Sequence, residues 1–522
     1  MWRLIHLGTA IVAGLLHAII MDQTAPGAAT SAGPPLAQVT GHPCDQLAGT
    51  YHTWLSRAVA VDVVVVGGGV AGLTTLKTLL DHGVEDVILL EAQDYLGGRV
   101  RTIRQDGVLV EEGAEWIHGG QDNPLYKLAS TLNALSPVLP DNAWDWRVVT
   151  EAGRPGDQQA YHLAKKLIDL SEEDGVLTPY YNASLGHFFI DKFNKTFRSQ
   201  STSVMKRASL HYLEKMVNLV FGTSDWLQVA TRDADRFQEY GDDFQWKQGY
   251  DTLVTHLMAD VADSRVRLSS PVCKIVWEKE EKVQGDRVLV VTLGADSYLA
   301  RHVVVTTSVA HLQERHAHLF TPPLPPSFLS ALMGVRLAVA NKVQMGWPAP
   351  WWGSKPLDLH ILWTTFDLPH NMSWLYGVAG IFSVHQQAAV VQLFVIGESS
   401  RDMEALPEAT VKSHMLQLLR RVVKKSIPEP TFFRRTRWGS NPWTRGSYST
   451  FITVDGEKAG LHHHNQLATP LLNSRGKTVV SWAGEHTHNT RCSTVDGAMK
   501  TGQREALRII SLLQSSPSSV VS

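Results

Sequence analysis

The sequence predicts an α/β fold in two parts: a nucleotide-binding domain assembled from pieces at both ends of the chain, and a second domain of mixed sheet and helix. Three observations predict it. An apolar run at Val61 and Val63–Val66 leads into Gly67-x-Gly69-x-x-Gly72, then a helix-like stretch, then a second apolar run at Val87–Leu90 that ends on Glu91. Apolar residues recur at helical spacing through most of 124–240. Far downstream, a buried-strand run at Lys477–Ser481 and a closing helix over Val495–Leu513 complete the first domain.

The chain of 522 residues opens on Met1-Trp2-Arg3 and an apolar segment, Leu4–Met21, with no acid before Asp22. That pattern reads as a secretory signal peptide or signal anchor over 1–21. At ~18 residues it is long enough to span a bilayer, so an uncleaved leader is the one membrane attachment expected. Residues 22–58, rich in Ala, Gly and Pro over Ala25–Thr40, read as a linker. Sequons at Asn182, Asn194 and Asn371 fit a secreted or lumenal glycoprotein.

The strand, glycine turn, helix, strand and acid of 61–91 make one Rossmann-like dinucleotide-binding unit. Gly67 permits the tight turn, Gly69 lets backbone approach a pyrophosphate, and Gly72 lets helix and sheet pack closely. The helix N-terminus offers free N–H groups to phosphate. Glu91, 24 positions after Gly67, is placed to hold a ribose hydroxyl. A second glycine pair with an arginine, Gly97-Gly98-Arg99, suits another phosphate contact and favours FAD over NAD.

Further along, Leu163–Leu170 and Ser203–Phe221 read as helices, and Gly249-Tyr250-x-x-Leu253 begins another. Val266–Ile275, Arg287–Leu293, Val303–Val305, Ala340–Met345 and Val390–Gly397 read as strands. The FAD-binding domain is expected over 59–125, 241–320 and 431–515, and the substrate-binding domain over 126–240 and 321–430.

The bulk numbers exclude several classes. Hydrophobic content of 44% and charged content of 19% describe an ordinary globular chain. A net charge of −2 gives no reason to expect a nucleic-acid partner. Three cysteines, Cys44, Cys273 and Cys492, make no disulfide framework. His462-His463-His464 reads as a solvated loop and His486-x-His488 as a turn, so no metal site is expected. No oligomeric state is predicted.

Seven motifs in order carry a resemblance over roughly Val61–Leu513. They are the glycine turn with Glu91, Gly97-Gly98-Arg99, Gly113-Ala114-Glu115-Trp116-Ile117-His118-Gly119, Asn341-Lys342-Val343, Trp438 through Tyr448, Ala483-Gly484-Glu485, and Asp496-Gly497-Ala498 through Ala506. The chain resembles the flavin-containing amine oxidases, most closely the animal polyamine oxidases that act on spermine or N1-acetylpolyamines. The resemblance implies non-covalent FAD and hydride transfer from a C–N bond to flavin N5. Dioxygen then returns the flavin and leaves hydrogen peroxide, and the imine hydrolyses to an aldehyde and an amine.

The same resemblance implies roles for single residues. Lys342 holds a water beside flavin N5 and promotes reaction with oxygen. His118 lies near the substrate amine and accepts from it. Gly113, Trp116, Val272, Glu485, Thr494 and Val495 join Gly98 and Arg99 in binding the cofactor. The helix after Asp496 turns its positive end to the flavin pyrimidine edge. Ser447 stands where monoamine oxidases carry the cysteine that bonds the flavin. Trp438, Tyr448 and Trp482 are candidate aromatic walls for a bound cation.

Three departures bear on the substrate. Asp496 replaces the usual histidine, Arg491-Cys492 replace aromatics, and Val217–Asn218 lack an acid for a distal ammonium. Arg491 would repel a polycation if it faced the pocket. An L-amino-acid or other amine oxidase therefore stands as the alternative, with Arg491 as its candidate carboxylate ligand. A flavin-bound ligand-binding protein with little turnover is the alternative from another class.

Overall fold

The structure, a computed structural model, describes residues 41–515 except 138–143, 198–201, 279–285, 385–386 and 388. The leader at 1–21 and the first part of the expected linker lie outside the described residues.

A nine-stranded sheet organises the nucleotide-binding part. The Val59–Val66 strand pairs in parallel with Val87–Leu90 on one edge and Ser297–Val305 on the other. Val63, Val64 and Val65 are fully buried, as a strand covered on both faces requires. The far edge of Ser297–Val305 is shared between two neighbours. Its first half pairs antiparallel with Val288–Thr292, while Val303–Val305 pair in parallel with Val480–Trp482. The late strand Thr478–Trp482 thus sits one place from the first strand. The closing helix Val495–Ser515 packs on the first helix, Val70–Asp81, so tightly that a Cβ on Gly502 would lie 2.2 Å from the Ala71 carbonyl oxygen.

A six-stranded sheet forms the second part, in the order Phe432–Arg435, Ala340–Gly346, Val390–Ile396, Val378–Ser383, Leu357–Leu362 and Asp145–Thr150. Every residue of Ala340–Gly346 is buried between two antiparallel partners. Helices Gln158–Ser171, Leu185–Thr196 and Ser203–Val220 bury Phe188, Phe189, Phe193 and Tyr212 in a core shared with Leu362 of this sheet.

Several expectations need correction. Asp145–Thr150 is a strand inside the stretch that reads mostly as helix; six residues are too few to stand out against the longer helical pattern around them. Phe432–Arg435 pairs with Gly346–Val343, so the second sheet runs past the boundary expected at 430. Val266–Ile275 divides into Val266–Arg267 and Val272–Val276.

The described half of the linker is folded rather than flexible. Tyr51–Leu55 is a helix capped by Thr50, and Trp54 and Leu55 pack against a cluster of Val276, Leu289 and Val291. Cys44 and Cys273 form a disulfide with Cα atoms 5.2 Å apart across 229 positions. A pair so distant in sequence leaves no local spacing to read. Among the described residues no helix is long and apolar enough to cross a membrane.

Candidate active site

The glycine turn and its downstream partner make a bare backbone floor. Gly67 has φ of +107°, and a Cβ there would lie 2.6 Å from Thr306 Oγ1. A Cβ on Gly72 would stand 1.9 Å from the Gly67 carbonyl oxygen, which is the close helix–strand approach its position predicts. The Gly97 N–H donates to the Gly68 carbonyl at 2.8 Å, and Gly98 packs against the Gly69 Cα. The two glycine turns therefore abut with no side chain between them.

Glu91 ends the second strand and curls back over this floor. Its carboxylate accepts from the Gly68 N–H at 2.5 Å and the Gln93 N–H at 2.8 Å. Burial raises its pKa against the pull of those N–H groups. Arg99 reaches the other way, donating to Glu485 and to the Ser447 carbonyl, each at 2.9 Å. Burial works to protonate Glu485, but Arg99, His486 and the donors Ser449 and Ser493 outweigh it and hold its pKa below the ordinary carboxylate value.

Gly113 explains how the third motif closes on the second: a Cβ there would lie 1.8 Å from the Arg99 carbonyl oxygen. Two residues on, Glu115 turns inward and meets Lys342. The Lys342 ammonium donates to Glu115 at 2.7 Å and to the Glu111 carbonyl at 3.1 Å, and lies 5.5 Å from the Phe394 ring centroid. Gln245 and Gln392 also donate to Glu115. Sequence reasoning assigned Glu115 no role, although it lies inside a motif that reasoning used. Asn341 anchors the lysine strand from below, accepting from Thr436 and the Trp438 N–H while donating to Glu404.

His118 projects from the short strand Ile117–His118 and donates or accepts at Nδ1 with Asp243 at 3.0 Å. The carboxylate only accepts, so Nδ1 carries the proton and Nε2 is the acceptor. Desolvation and the Arg491 cation lower the imidazole pKa from its ordinary value, which favours neutral His118 at physiological pH.

These groups line one cavity of about 430 Å³, together with Gly67, Gly69, Glu91, Gly98, Arg99, Gly113 and Trp116. Val272, Trp438, Tyr448, Thr494 and Val495 line it as well. Thr494 accepts from the Gly497 N–H at 3.0 Å and opens the closing helix with its N-terminus at the cavity wall. The Trp116 indole N–H is buried without a hydrogen-bond partner among the described residues. A glycine floor for a pyrophosphate, a carboxylate for a ribose, an unspent N–H and a helix N-terminus fit a flavin dinucleotide.

The profile of the flavin containing amine oxidoreductases matches residues 70–510. The chain belongs to this family. Its cofactor is FAD. This flavin-containing amine oxidoreductase is 30% identical to the peroxisomal N(1)-acetyl-spermine/spermidine oxidase of Bos taurus, covering 86% of this chain and 94% of that protein. The corresponding Homo sapiens protein is 29% identical, with coverage of 86% and 95%. A solved structure of wild-type putrescine oxidase bound to putrescine matches in fold, with a TM-score of 0.64 at 19% identity, covering 87% of this chain and all of that one.

Three sequence expectations change within this oxidoreductase. Trp482 is no pocket wall: it is 1% exposed in the core under the first sheet, stacked on Phe328 with centroids 4.5 Å apart. Its position on the late strand turns it away from the cavity, which the residue type alone could not reveal. His464 is no solvated loop residue. It is fully buried, with Nε2 2.9 Å from Asp233 and Nδ1 3.0 Å from the His486 carbonyl. Both nitrogens face acceptors, so the ring is an imidazolium; burial opposes the charge, but Asp233 holds the pKa well above the usual value. Arg491 does not face the cavity, but is fully buried and paired with Asp496.

The lining of the cavity includes six carboxylates that the sequence reading missed. Asp169, Glu172, Asp174, Asp235, Glu239 and Asp243 all line it. Among the described residues the only Lys and Arg side chains in the lining are Arg99 and Lys342, each ion-paired. The available signal was the acid-rich runs 169–174 and 233–243, which look like solvated faces until the fold brings them together.

Proposed function

We propose that this chain catalyses FAD-dependent oxidation of a secondary amine in a polyamine such as spermine, spermidine or an N-acetylated form. The observation that carries the reading is one cavity whose lining joins the glycine floor, Lys342 and His118 with Asp169, Glu172, Asp174, Asp235, Glu239 and Asp243. Carboxylates without free cations among them favour a substrate bearing several positive charges. FAD, when bound, accepts two electrons as hydride at N5 and passes them to O2, which leaves as H2O2.

The chain's own residues supply the rest. An amine must shed its extra proton before it can release hydride. The ammonium loses that proton to solvent, and neutral His118, oriented by Asp243, offers Nε2 as a hydrogen-bond acceptor that orients the free amine. Loss of hydride from carbon and of a proton from nitrogen leaves an imine, which takes up water and divides into an aldehyde and an amine. The Lys342 ammonium, held by Glu115, keeps positive charge and an ordered donor in the cavity for the oxygen reaction. Trp438 and Tyr448 supply aromatic faces for a cation. Ser447 spends its hydroxyl on the Ala338 carbonyl and the Ala340 N–H, which supports FAD held without a covalent bond.

A secreted or lumenal location is part of the same reading, with an uncleaved leader as the alternative anchor. The Cys44–Cys273 disulfide supports an oxidising compartment, and Asn182, Asn194 and Asn371 are all exposed.

The test is direct. The purified protein should show a flavin spectrum and release peroxide with spermine or N1-acetylspermine but not with L-amino acids. A flavin spectrum with no peroxide from any amine points to the ligand-binding alternative, and peroxide from amino acids alone to the other oxidase reading.

A further inference from the structure

Two of the three departures noted in the sequence meet in space. Arg491 is fully buried, and four of the five N–H groups of its guanidinium find acceptors. Nε and Nη2 grip the two carboxylate oxygens of Asp496 at 3.0 and 2.9 Å. Nη2 also donates to the His118 carbonyl at 2.9 Å, and Nη1 to the Gln238 carbonyl at 2.5 Å. The cation lies against the rings of Phe237 and Tyr240, 4.9 and 4.4 Å from their centroids. Lys500 closes the far side, 3.4 Å from Asp496 and 3.1 Å from the Tyr240 hydroxyl.

We propose that Arg491 is a positioning residue that fixes His118 and the 237–241 wall of the cavity, and that Asp496 makes this arginine compatible with a cationic substrate. The proposal rests on the amine-oxidase reading above. His118 and the wall residues Phe237, Glu239 and Gly241 all border the cavity, and one guanidinium ties the backbones of both segments together. A bidentate arginine–carboxylate pair has the directional strength for this task. A further positive charge here would also repel a polycation, since the guanidinium lies 4.9 Å from the centroid of Phe237, a ring that lines the cavity. The carboxylate at 496 offsets one of its two neighbouring cations, Arg491 and Lys500, so removing it would add a positive charge beside the cavity. The arginine and the aspartate are therefore one compensated change rather than two losses.

Arg491→Met, Arg491→Lys, Asp496→Asn and the double variant Arg491→Met/Asp496→Asn test the clamp in the FAD-loaded protein. Hydrogen–deuterium exchange needs no turnover. Arg491→Met should speed exchange in 116–120 and 236–242 by about tenfold or more and leave the first sheet unchanged, with partial rescue in Arg491→Lys. Unchanged exchange in those segments, or faster exchange everywhere, overturns the proposal.

Kinetics give the second readout. Asp496→Asn should raise KM for spermine roughly 3- to 10-fold at low salt, more than for N1-acetylspermine, which carries one charge fewer. The double variant should return KM towards that of the parent while kcat stays low, because charge balance is restored without the tether to His118. Equal KM changes for both substrates, or recovery of kcat with KM, refutes the assignment. Local loosening of exchange with no peroxide from any amine, even in the parent, would retain the clamp and reject the amine-oxidase reading instead.

Discussion

Replacing Lys342 by methionine separates two tasks that one ammonium performs. The Lys342 and Glu115 side chains are only 7% and 6% exposed and lie 2.7 Å apart. Removing the lysine strands a buried carboxylate, and breaking a buried pair costs roughly 3–5 kcal/mol. Gln245 and Gln392 still donate to Glu115, at 3.0 and 3.1 Å, so the loss should fall near the lower end, at about 3 kcal/mol. The double variant Lys342→Met/Glu115→Gln removes the stranded charge and should regain about 2 kcal/mol of that loss. The oxygen reaction should behave differently. Without the cation, transfer of electrons to O2 loses its nearby positive charge and should slow by about tenfold or more in both variants. Urea denaturation of the FAD-loaded protein gives the stabilities, and stopped-flow mixing of chemically reduced protein with oxygen gives the rates. If reoxidation recovers along with stability in the double variant, Lys342 acts only as a structural counter-ion and its assigned part in the chemistry is wrong.

Three further outcomes follow from particular residues. Acid precipitation should leave free FAD in the supernatant, since Ser447 is a serine hydrogen-bonded to backbone; yellow colour retained in the pellet would contradict this. Trp482→Ala should lose about 3–5 kcal/mol of stability with the KM of the folded fraction unchanged, whereas a changed KM at unchanged stability would return Trp482 to the pocket wall. Stability should fall as the pH drops from about 6.5 to 4. Burial pushes His311 and His486 down to about 4 in the folded chain, so unfolding takes up a proton on each in that window, worth roughly 3 kcal/mol per histidine. Glu111, raised by burial to about 7, works in the opposite sense between 4.5 and 7 and reduces the net slope. Urea midpoints measured across pH 4–8 check the sign, and a flat profile would refute it.

The cofactor end of the cavity was legible because its chemistry is local. Gly67, Gly69, Gly72 and Glu91 fall within one strand–helix–strand unit, and the physical reason for each lies in its immediate neighbours. The strand at 478–482 was legible too as a buried apolar run, and it pairs with Val303–Val305 in the first sheet. Trp482 shows where such reading stops. Its aromatic character suits either a wall or a core, and only the register against Val303–Val305 decides which way it points. The Asp145–Thr150 strand fails similarly, because its partner Leu357–Leu362 lies some 200 positions away.

Charge was the least legible property, since the sign of a residue is written in the sequence but its partner is not. Lys342 finds Glu115 across 227 positions, Arg99 finds Glu485 across 386, and His464 finds Asp233 across 231. Taken singly, each looks like a surface charge or a catalytic one; paired, each becomes nearly neutral and fixes two distant segments to each other. Arg491 and Asp496 carry the argument furthest. They stand five positions apart, yet no regular helical spacing would bring them together; the turn before the closing helix does so. Each substitution alone argues against a polycationic substrate. Joined, they form a buried ion pair beside a cavity whose lining is rich in carboxylates, and the same two residues that weakened the polyamine reading in the sequence become consistent with it in the fold.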